Sequence, residues 1–313
     1  MTAYKGKILW VDLTEGQCWE EQIGEELYYN YLSGIGLAAR ILYERIPAGA
    51  DPLGPGNILA FVSGLLTGTG SFFTGRWTAA AKSPLTGTWG EANCGGTLSP
   101  AIKKCGYDGI FFTGMSKNPV YLHIDDTGPH LLPAGELWGK DAIITEEILI
   151  SRTRGKKKPA VACIGPAGEK LSLISGISND KGRFAARSGL GAVMGCKRLK
   201  ALVLEGSEPI TAADSAEMKR LSKQCKKRSA GLPMTSGNSL YWLGKLMGKM
   251  KVVPPMPGKL IASMFSKWGT ACLNQFSVEV GDAPIKNWKG TNRDYPKPLS
   301  DSINADRVME RVK

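Results

Sequence analysis

GRWTAAAKSPLTGTWGEANCGGTLSPAIKKCGYDGIFFTG, residues 75–114, opens on Gly75 and carries a short strand, a Ser-Pro turn and then the string Asn93-x-Gly95-Gly96. A short helix ending in Lys103-Lys104 follows, and a strand GIFF closes the stretch at Gly114-Met115-Ser116. Residues 168–208, GEKLSLISGISNDKGRFAARSGLGAVMGCKRLKALVLEGSE, keep the same order. Gly168 precedes the strand LSLISGI, an Asn-Asp turn, Arg187-x-Gly189-x-Gly191, a short segment ending in Lys197-Arg198, and a strand ALVL that closes at Gly206-Ser207-Glu208. Two units of about forty residues with one plan and no tandem adjacency point to a duplicated sheet rather than a solenoid.

Working outward, KILWVDL at Lys7–Leu13 alternates as a strand does, and Glu25 to Arg45 shows apolar residues at helical spacing. Short apolar or alternating runs bounded by Gly, Pro or Asp predict strands at Asn57–Leu65, Trp77–Ala81, Gly109–Thr113, Val120–Ile124, Pro159–Ile164, Leu171–Ile177 and Ala201–Leu204. Helical spacing recurs at Leu98–Lys104 and Asp141–Ser151. The mixture predicts an α+β fold with a large sheet. After about Gly206 the texture changes to basic helix at Ala212–Arg228 and to Lys245–Trp268, broken by VVPPMPG, so a domain boundary is expected near residue 210.

The chain of 313 residues has room for two domains, and its 39 glycines exceed the usual share, so many backbone positions need permissive dihedrals. Nearly all of its net charge of +12 sits in the last third: residues 211–313 carry 18 Lys and Arg against 8 acids, and the remainder carries 22 against 20. Blocks such as Lys223–Arg228 suit an acidic partner or nucleic acid, but are read as a solvated helix face with no nucleic-acid partner. Seven cysteines, an odd number without C-x-x-C spacing, argue against a disulfide framework and for a reducing, cytoplasmic setting. The longest apolar run, Ile58–Leu66, is too short to span a bilayer.

In both units a strand leads into a glycine-rich turn and a helix start. Glycine admits close backbone approach, and amides at a helix start favour an anion. Such a pair suits two phosphates or the two halves of one pseudo-symmetric cofactor, and it equally suits structural turns. Neither turn matches G-x-G-x-x-G or a P-loop, which disfavours ordinary nucleotide binding. Arg76, Arg183 and Arg187 are the cations nearest these loops, at what read as equivalent ends of the two units, and guanidinium forks match phosphate. Cys94, with no neighbouring Cys or His, is expected to be a small buried residue rather than a ligand. His123 and His130 lack a Ser or Cys partner in motif spacing, and Asp125-Asp126 introduces a Thr-Gly-Pro turn.

The strings GLLTGTGSFFTGRWTAAAKSPLTGTWGEANCGGTLSPAIKKCGYDGIFFTG, IGPAGEKLSLISGISND and GRFAARSGLGAVMGCKRLKALVLEG, with the opening KILWVDLTEG, resemble the tungsten-containing aldehyde:ferredoxin oxidoreductases over residues 5–210. A weaker likeness continues through GTACLNQFSVEVGDAPIKNWKGTN. The resemblance implies an N-terminal domain of two intertwined β-rich repeats under a tungsten or molybdenum bis-pterin cofactor, followed by the start of a helical region. The metal takes its sulfurs from the pterins, and magnesium bridges the pterin phosphates. A protein that supplies turns and arginines rather than thiolates suits that chemistry.

By position, Arg76, Asn93 and Gly95 match the family's contacts to one pterin, and Arg183 and Phe184 those to the other. The backbone carbonyls of Asn93 and Phe184 are the implied magnesium ligands. Phe184 departs from the small residue of the family; Gly189 and Gly191 match glycines of the second turn, Ser188 replaces another, and Arg187 matches a family arginine. The family's [4Fe-4S] cluster is held by C-x-x-C-x-x-x-C and a distant Cys, which none of these cysteines matches, and its acid-base residues lie outside these residues. The chain therefore reads as an N-terminal half that ends in mid-helix at NADRVMERVK. The implied activity is oxidation of a small aldehyde to the carboxylic acid, with ferredoxin or another electron-transfer subunit as acceptor. A homo-oligomer or a complex with the missing half is expected, and the isolated chain should bind cofactor poorly. The alternatives are an aromatic acyl-CoA reductase catalytic subunit or a non-catalytic pterin-binding fragment.

Overall fold

Lys7–Asp12 (β1) buries four consecutive apolar side chains, Ile8 to Val11, because both faces of its sheet are covered. A computed structural model describes residues 3–153, 158–229, 236–251, 256 and 258–312. The chain forms two compact units, Met1–Leu221 and Ser222–Lys313.

The first half of the first unit runs β1, β2 (Gln17–Gln22), α1 (Glu25–Tyr31), α2 (Ile35–Arg45), β3 (Leu59–Ser63), β4 (Trp77–Lys82), β5 (Trp89–Cys94), α3 (Leu98–Lys104) and β6 (Gly109–Thr113). The second half runs β7 (Val120–Asp125), β8 (Gly128–Pro133), α4 (Ala142–Arg152), β9 (Ala160–Cys163), α5 (Pro166–Glu169), β10 (Ile177–Asn179), β11 (Arg183–Ala185), α6 (Leu190–Cys196) and β12 (Leu199–Leu204). These strands make two six-stranded sheets, β2-β1-β6-β3-β4-β5 and β8-β7-β12-β9-β10-β11. Strand for strand, the order is the same. In each sheet the opening strand pairs parallel to the closing strand, β1 with β6 and β7 with β12, while every other neighbouring pair is antiparallel. The duplication read from residues 75–114 and 168–208 is real, and it extends over the whole of both halves.

The halves interlock. Helix α3 packs on β9 and β12 of the other sheet, and α6 packs on β3, β4 and β5. Leu98, Ile102, Leu190, Val193 and Met194 from these helices share one core with Phe61, Trp77, Leu122 and Leu202 from the two sheets. Each fully buried side chain of this kind contributes roughly 1.5–3 kcal/mol. The outer face of the first sheet is covered by α2 through Leu37, Ala38, Ile41 and Leu42, and that of the second by Leu149 of α4.

Several expectations are corrected. Leu171–Ile177 is not a strand: a turn that follows α5 occupies most of it, Leu171, Leu173 and Ile174 are exposed, and pairing begins only at Ile177. Glu25–Arg45 is two helices, interrupted at Leu32 and Gly34, whose φ of 60° and 61° break the helical path. The spacing also passes over β2, β5, β8 and β11. All four are edge strands with an exposed or half-exposed face.

In the second unit, α8 (Gly237–Met250), α9 (Gly258–Trp268), α10 (Cys272–Val280), α11 (Lys297–Ser302) and α12 (Ala305–Val312) follow α7 (Ser215–Arg228), which buries none of its residues. Leu240, Met264, Trp268, Cys272 and Ala305 form the unit's core, and Trp268 Nε1 donates to Asp306 Oδ1 at 2.7 Å. Most of the Pro-rich break, Val252–Pro255 and Pro257, and the end residue Lys313 lie outside the described residues.

Candidate functional site

The edge strands β5 and β11, one from each sheet, lie against each other. Asn93 is the penultimate residue of β5 and pairs with Thr78, the second residue of β4. Phe184 is the penultimate residue of β11 and pairs with Ser178, the second residue of β10. Asn93 and Phe184 therefore hold equivalent places in the two repeats. Both are exposed, Phe184 at 48%, and its ring lies over Gly176, where a Cβ would stand 2.7 Å from Phe184 Cε1.

Arg76 approaches from the residue before β4. Its Nε donates to Asn93 Oδ1 at 2.7 Å and its Nη2 to the Asn93 carbonyl at 3.0 Å, so one asparagine grips the guanidinium twice. Arg183, the first residue of β11, is exposed, and its guanidinium makes no hydrogen bond or ion pair among the described residues. Gly95 is where the two cations converge: a Cβ there would stand 3.4 Å from Arg183 Nη1 and 4.0 Å from Arg76 Nη1. The two arginines are not equivalent in the repeats, since Arg76 leads into β4 while Arg183 begins β11, the counterpart of β5. They meet in space only because the edge strands do.

The Thr97 amide does not present itself as the glycine pattern suggests. At the start of α3, the Thr97 N–H donates to Asp180 Oδ2 at 2.7 Å and the Thr97 hydroxyl to Asp180 Oδ1 at 2.7 Å. An internal carboxylate thus occupies the place expected for a bound anion. Asn179 Nδ2 donates to the Gly95 carbonyl at 3.2 Å, and Cys94 Sγ donates to Asn179 Oδ1 at 3.2 Å. Asn179 and Asp180, which the sequence marks only as a turn, join the two repeats. Their nearness to Arg183 is legible in the sequence, but the burial of Asn179 is not.

Cys94 is buried, and burial pushes its thiol above the ordinary value against the pull of Arg76 and Arg183. It is a small core residue, as its isolation in sequence implies. A protonated, covered thiol is a poor nucleophile. Mass spectrometry after brief iodoacetamide treatment near neutral pH is expected to find the exposed Cys225 alkylated well before Cys94, and Cys94→Ala to leave the geometry around Gly95 intact.

On the second turn, Gly189 has φ 66° and a Cβ there would overlap the Leu173 carbonyl, so this glycine is required for packing as much as for any ligand. Gly191 abuts Gly176, and a Cβ would stand 2.5 Å from the Gly176 carbonyl. Ser188 Oγ accepts from the Glu91 N–H at 3.2 Å, tying this turn to β5. Arg187 is exposed, with no contact linking it to Arg76, Arg183 or Gly95 among the described residues. Away from the site, Asp125 Oδ1 accepts from the Thr127 N–H at 2.8 Å, as a turn residue does, and His123 Nε2 lies 3.0 Å from Glu205 Oε2.

Among the described residues, no group of three or more His, Cys, Asp or Glu side chains is placed to hold a metal ion. None of the described helices is long and apolar enough to cross a membrane. What the site offers is two guanidinium groups beside a glycine, one held by Asn93 and one uncommitted, on an open face: a constellation suited to a phosphate-bearing ligand.

The profile of the family described as "Aldehyde ferredoxin oxidoreductase, N-terminal domain" matches residues 8–206. The tungsten-containing aldehyde ferredoxin oxidoreductase of Pyrococcus abyssi is 37% identical over 313 residues, 100% of this chain and 47% of that protein. The protein of the same name from Thermococcus kodakarensis is 39% identical over 233 residues, 74% of this chain and 38% of its own length. Among solved structures, the active site complex of benzoyl coenzyme A reductase with 1,5 dienoyl-CoA matches with a TM-score of 0.69 and 33% identity, over 82% of this chain and 37% of that one. The chain spans less than half the length of these relatives. With its duplicated, interlocked sheets, it belongs to the aldehyde ferredoxin oxidoreductase family and carries that family's N-terminal domain.

Proposed function

We propose that this chain is the cofactor base of a tungsten or molybdenum bis-pterin oxidoreductase that oxidises aldehydes to carboxylic acids and passes the electrons to ferredoxin. The observation that carries the reading is the convergence of Arg76 and Arg183 on Gly95. The names of the relatives support tungsten, aldehyde and ferredoxin.

The residues fit such a group. Its phosphates are anions, and the site offers two guanidinium groups beside a position without a side chain. Asn93 holds Arg76 through Nε and Nη2, which leaves Nη1 turned toward Gly95. Asn93 and Phe184, equivalent in the repeats, are the backbone carbonyls that would hold a magnesium ion; a carbonyl has two lone pairs, so the bond from Arg76 leaves Asn93 one free. Arg187 and Gly189 are proposed at the margin of the second pterin. When bound, the tungsten-pterin group supplies two-electron redox chemistry with sulfur ligands of its own, so the chain need not furnish thiolates. Its part is to bind and orient the group. The [4Fe-4S] cluster and the acid-base residues are assigned to polypeptide beyond these residues, and cytoplasmic location belongs to the same proposal.

The test is the tungsten and pterin content of the full polypeptide produced in tungstate-supplied cells and purified at low salt. Both are expected to co-purify with the wild type and to be lost together from Asn93→Ala, which releases Arg76. Tungsten retained without pterin, or pterin retained equally by Asn93→Ala, would sink the reading. A second reading, reduction of an aromatic acyl thioester, is favoured by the likeness to the benzoyl coenzyme A reductase complex. Turnover of an aromatic acyl-CoA, but of no aldehyde, by the full polypeptide would select it.

A further inference from the structure

The segment Asn179–Arg183 is held in a conformation that side chains resist. Asp180 and Lys181 have φ of 47° and 56°, and Gly182 has 123°, three successive residues in left-handed or still rarer backbone. Asp tolerates this region; Lys does so only under constraint. The constraint comes from opposite sides. From α4, the buried Glu146, 1% exposed, accepts from the Lys181 N–H at 2.9 Å, and Glu147 pairs with Lys181 Nζ at 2.9 Å. Across the repeat boundary, Asp180 takes both Thr97 donors, and the fully buried Asn179 binds Gly95 and Cys94.

Arg183 follows three residues after Asp180, and its guanidinium makes no hydrogen bond or ion pair among the described residues, so its aim is set by the segment that carries it. We propose that Asp180 is a positioning residue of the candidate site. By clamping Thr97 it locks the strained segment, brings the Arg183 guanidinium to Gly95, and leaves phosphate to the arginines rather than to the Thr97 amide. The ligand side of this proposal rests on the function proposed above, while the clamp itself rests on geometry alone.

Two measurements on the full chain test it. The first is binding of inorganic phosphate to the wild type, Asp180→Ala, Arg183→Ala and the double variant, with urea unfolding of each as the control for folding. Removing one charge-assisted hydrogen bond to phosphate implies a roughly tenfold weakening in either single variant, and the double variant should be no weaker than Arg183→Ala alone. Asp180→Asn, which keeps one acceptor oxygen for Thr97, should fall between wild type and Asp180→Ala. Unchanged binding in Asp180→Ala, or losses that multiply in the double variant, would overturn the proposal.

The second measurement is the Nε–H NMR signal of Arg183, which reports the order of that side chain directly. It should be distinct in the wild type and collapse toward the averaged arginine position in Asp180→Ala, with Asp180→Asn partly restoring it. An unmoved signal refutes the clamp. If the wild type binds no phosphate while this signal collapses in Asp180→Ala, the phosphate reading of the site fails and the clamp stands.

Discussion

Replacing Arg76 and Arg183 together with alanine in the full polypeptide is expected to abolish retention of the pterin while leaving the fold intact. Neither guanidinium carries core packing: both side chains reach the open face of the site, and among the described residues the Arg183 guanidinium bonds no protein group and the Arg76 guanidinium bonds only Asn93. Each guanidinium–phosphate pair contributes roughly 1.5–3 kcal/mol, or about 10- to 100-fold in affinity, so the double variant should lose about 10²- to 10⁴-fold. Pterin released on denaturation and tungsten content provide the readout, and urea unfolding provides the control. Lysine at either position keeps the charge but not the fork, and should recover only part of the loss. A double variant that keeps its pterin would show that the group sits elsewhere.

Gly96→Ala is expected to damage both the fold and the site. Gly96 has φ 110°, which an L side chain rarely adopts, and a Cβ there would overlap Asp180 Oδ2 while standing 2.5 Å from Asn179 Nδ2 and 3.0 Å from Arg183 Cδ. Relief requires Asp180 to release Thr97 or Asn179 to release Gly95, which strands polar groups between the repeats. Backbone strain and broken hydrogen bonds together cost about 3–5 kcal/mol. Gly87→Ala is the control: its φ of 72° is strained too, but a Cβ meets nothing within 4 Å, so the cost should be about 1 kcal/mol. Urea midpoints of the two variants decide the matter. Equal midpoints would mean that Asn179 and Asp180 do not staple the repeats.

Much of the scaffold is legible in the sequence because buried strands must be apolar on both faces. Leu59–Ser63, Gly109–Thr113 and Leu199–Leu204 are such runs, and the pattern predicts each as a strand within a few residues of its bounds. The edge strands are not legible in this way. QCWEEQ at β2 and WGEANC at β5 alternate weakly and contain Glu, Asn or Gly, since one side of an edge strand answers to solvent rather than to a core. LSLI at Leu171–Ile174 misleads for the opposite reason: most of its apolar side chains are at the surface, where no period constrains them.

The sequence by itself therefore determined the α+β class, the duplication, the family and the individual site candidates, because these reside in local runs, glycine punctuation and ordered motifs. Tertiary structure decided which candidates lie together. Arg76 and Arg183 are more than a hundred residues apart and occupy non-equivalent positions, and they meet only because β5 and β11, edges of different sheets, abut where α3 and α6 interlock the repeats. It also decided that the Thr97 amide is bonded to Asp180. The physical reason is that a hydrogen bond between residues 97 and 180 depends on the shared core that brings two chain segments together, and no local periodicity encodes that distance.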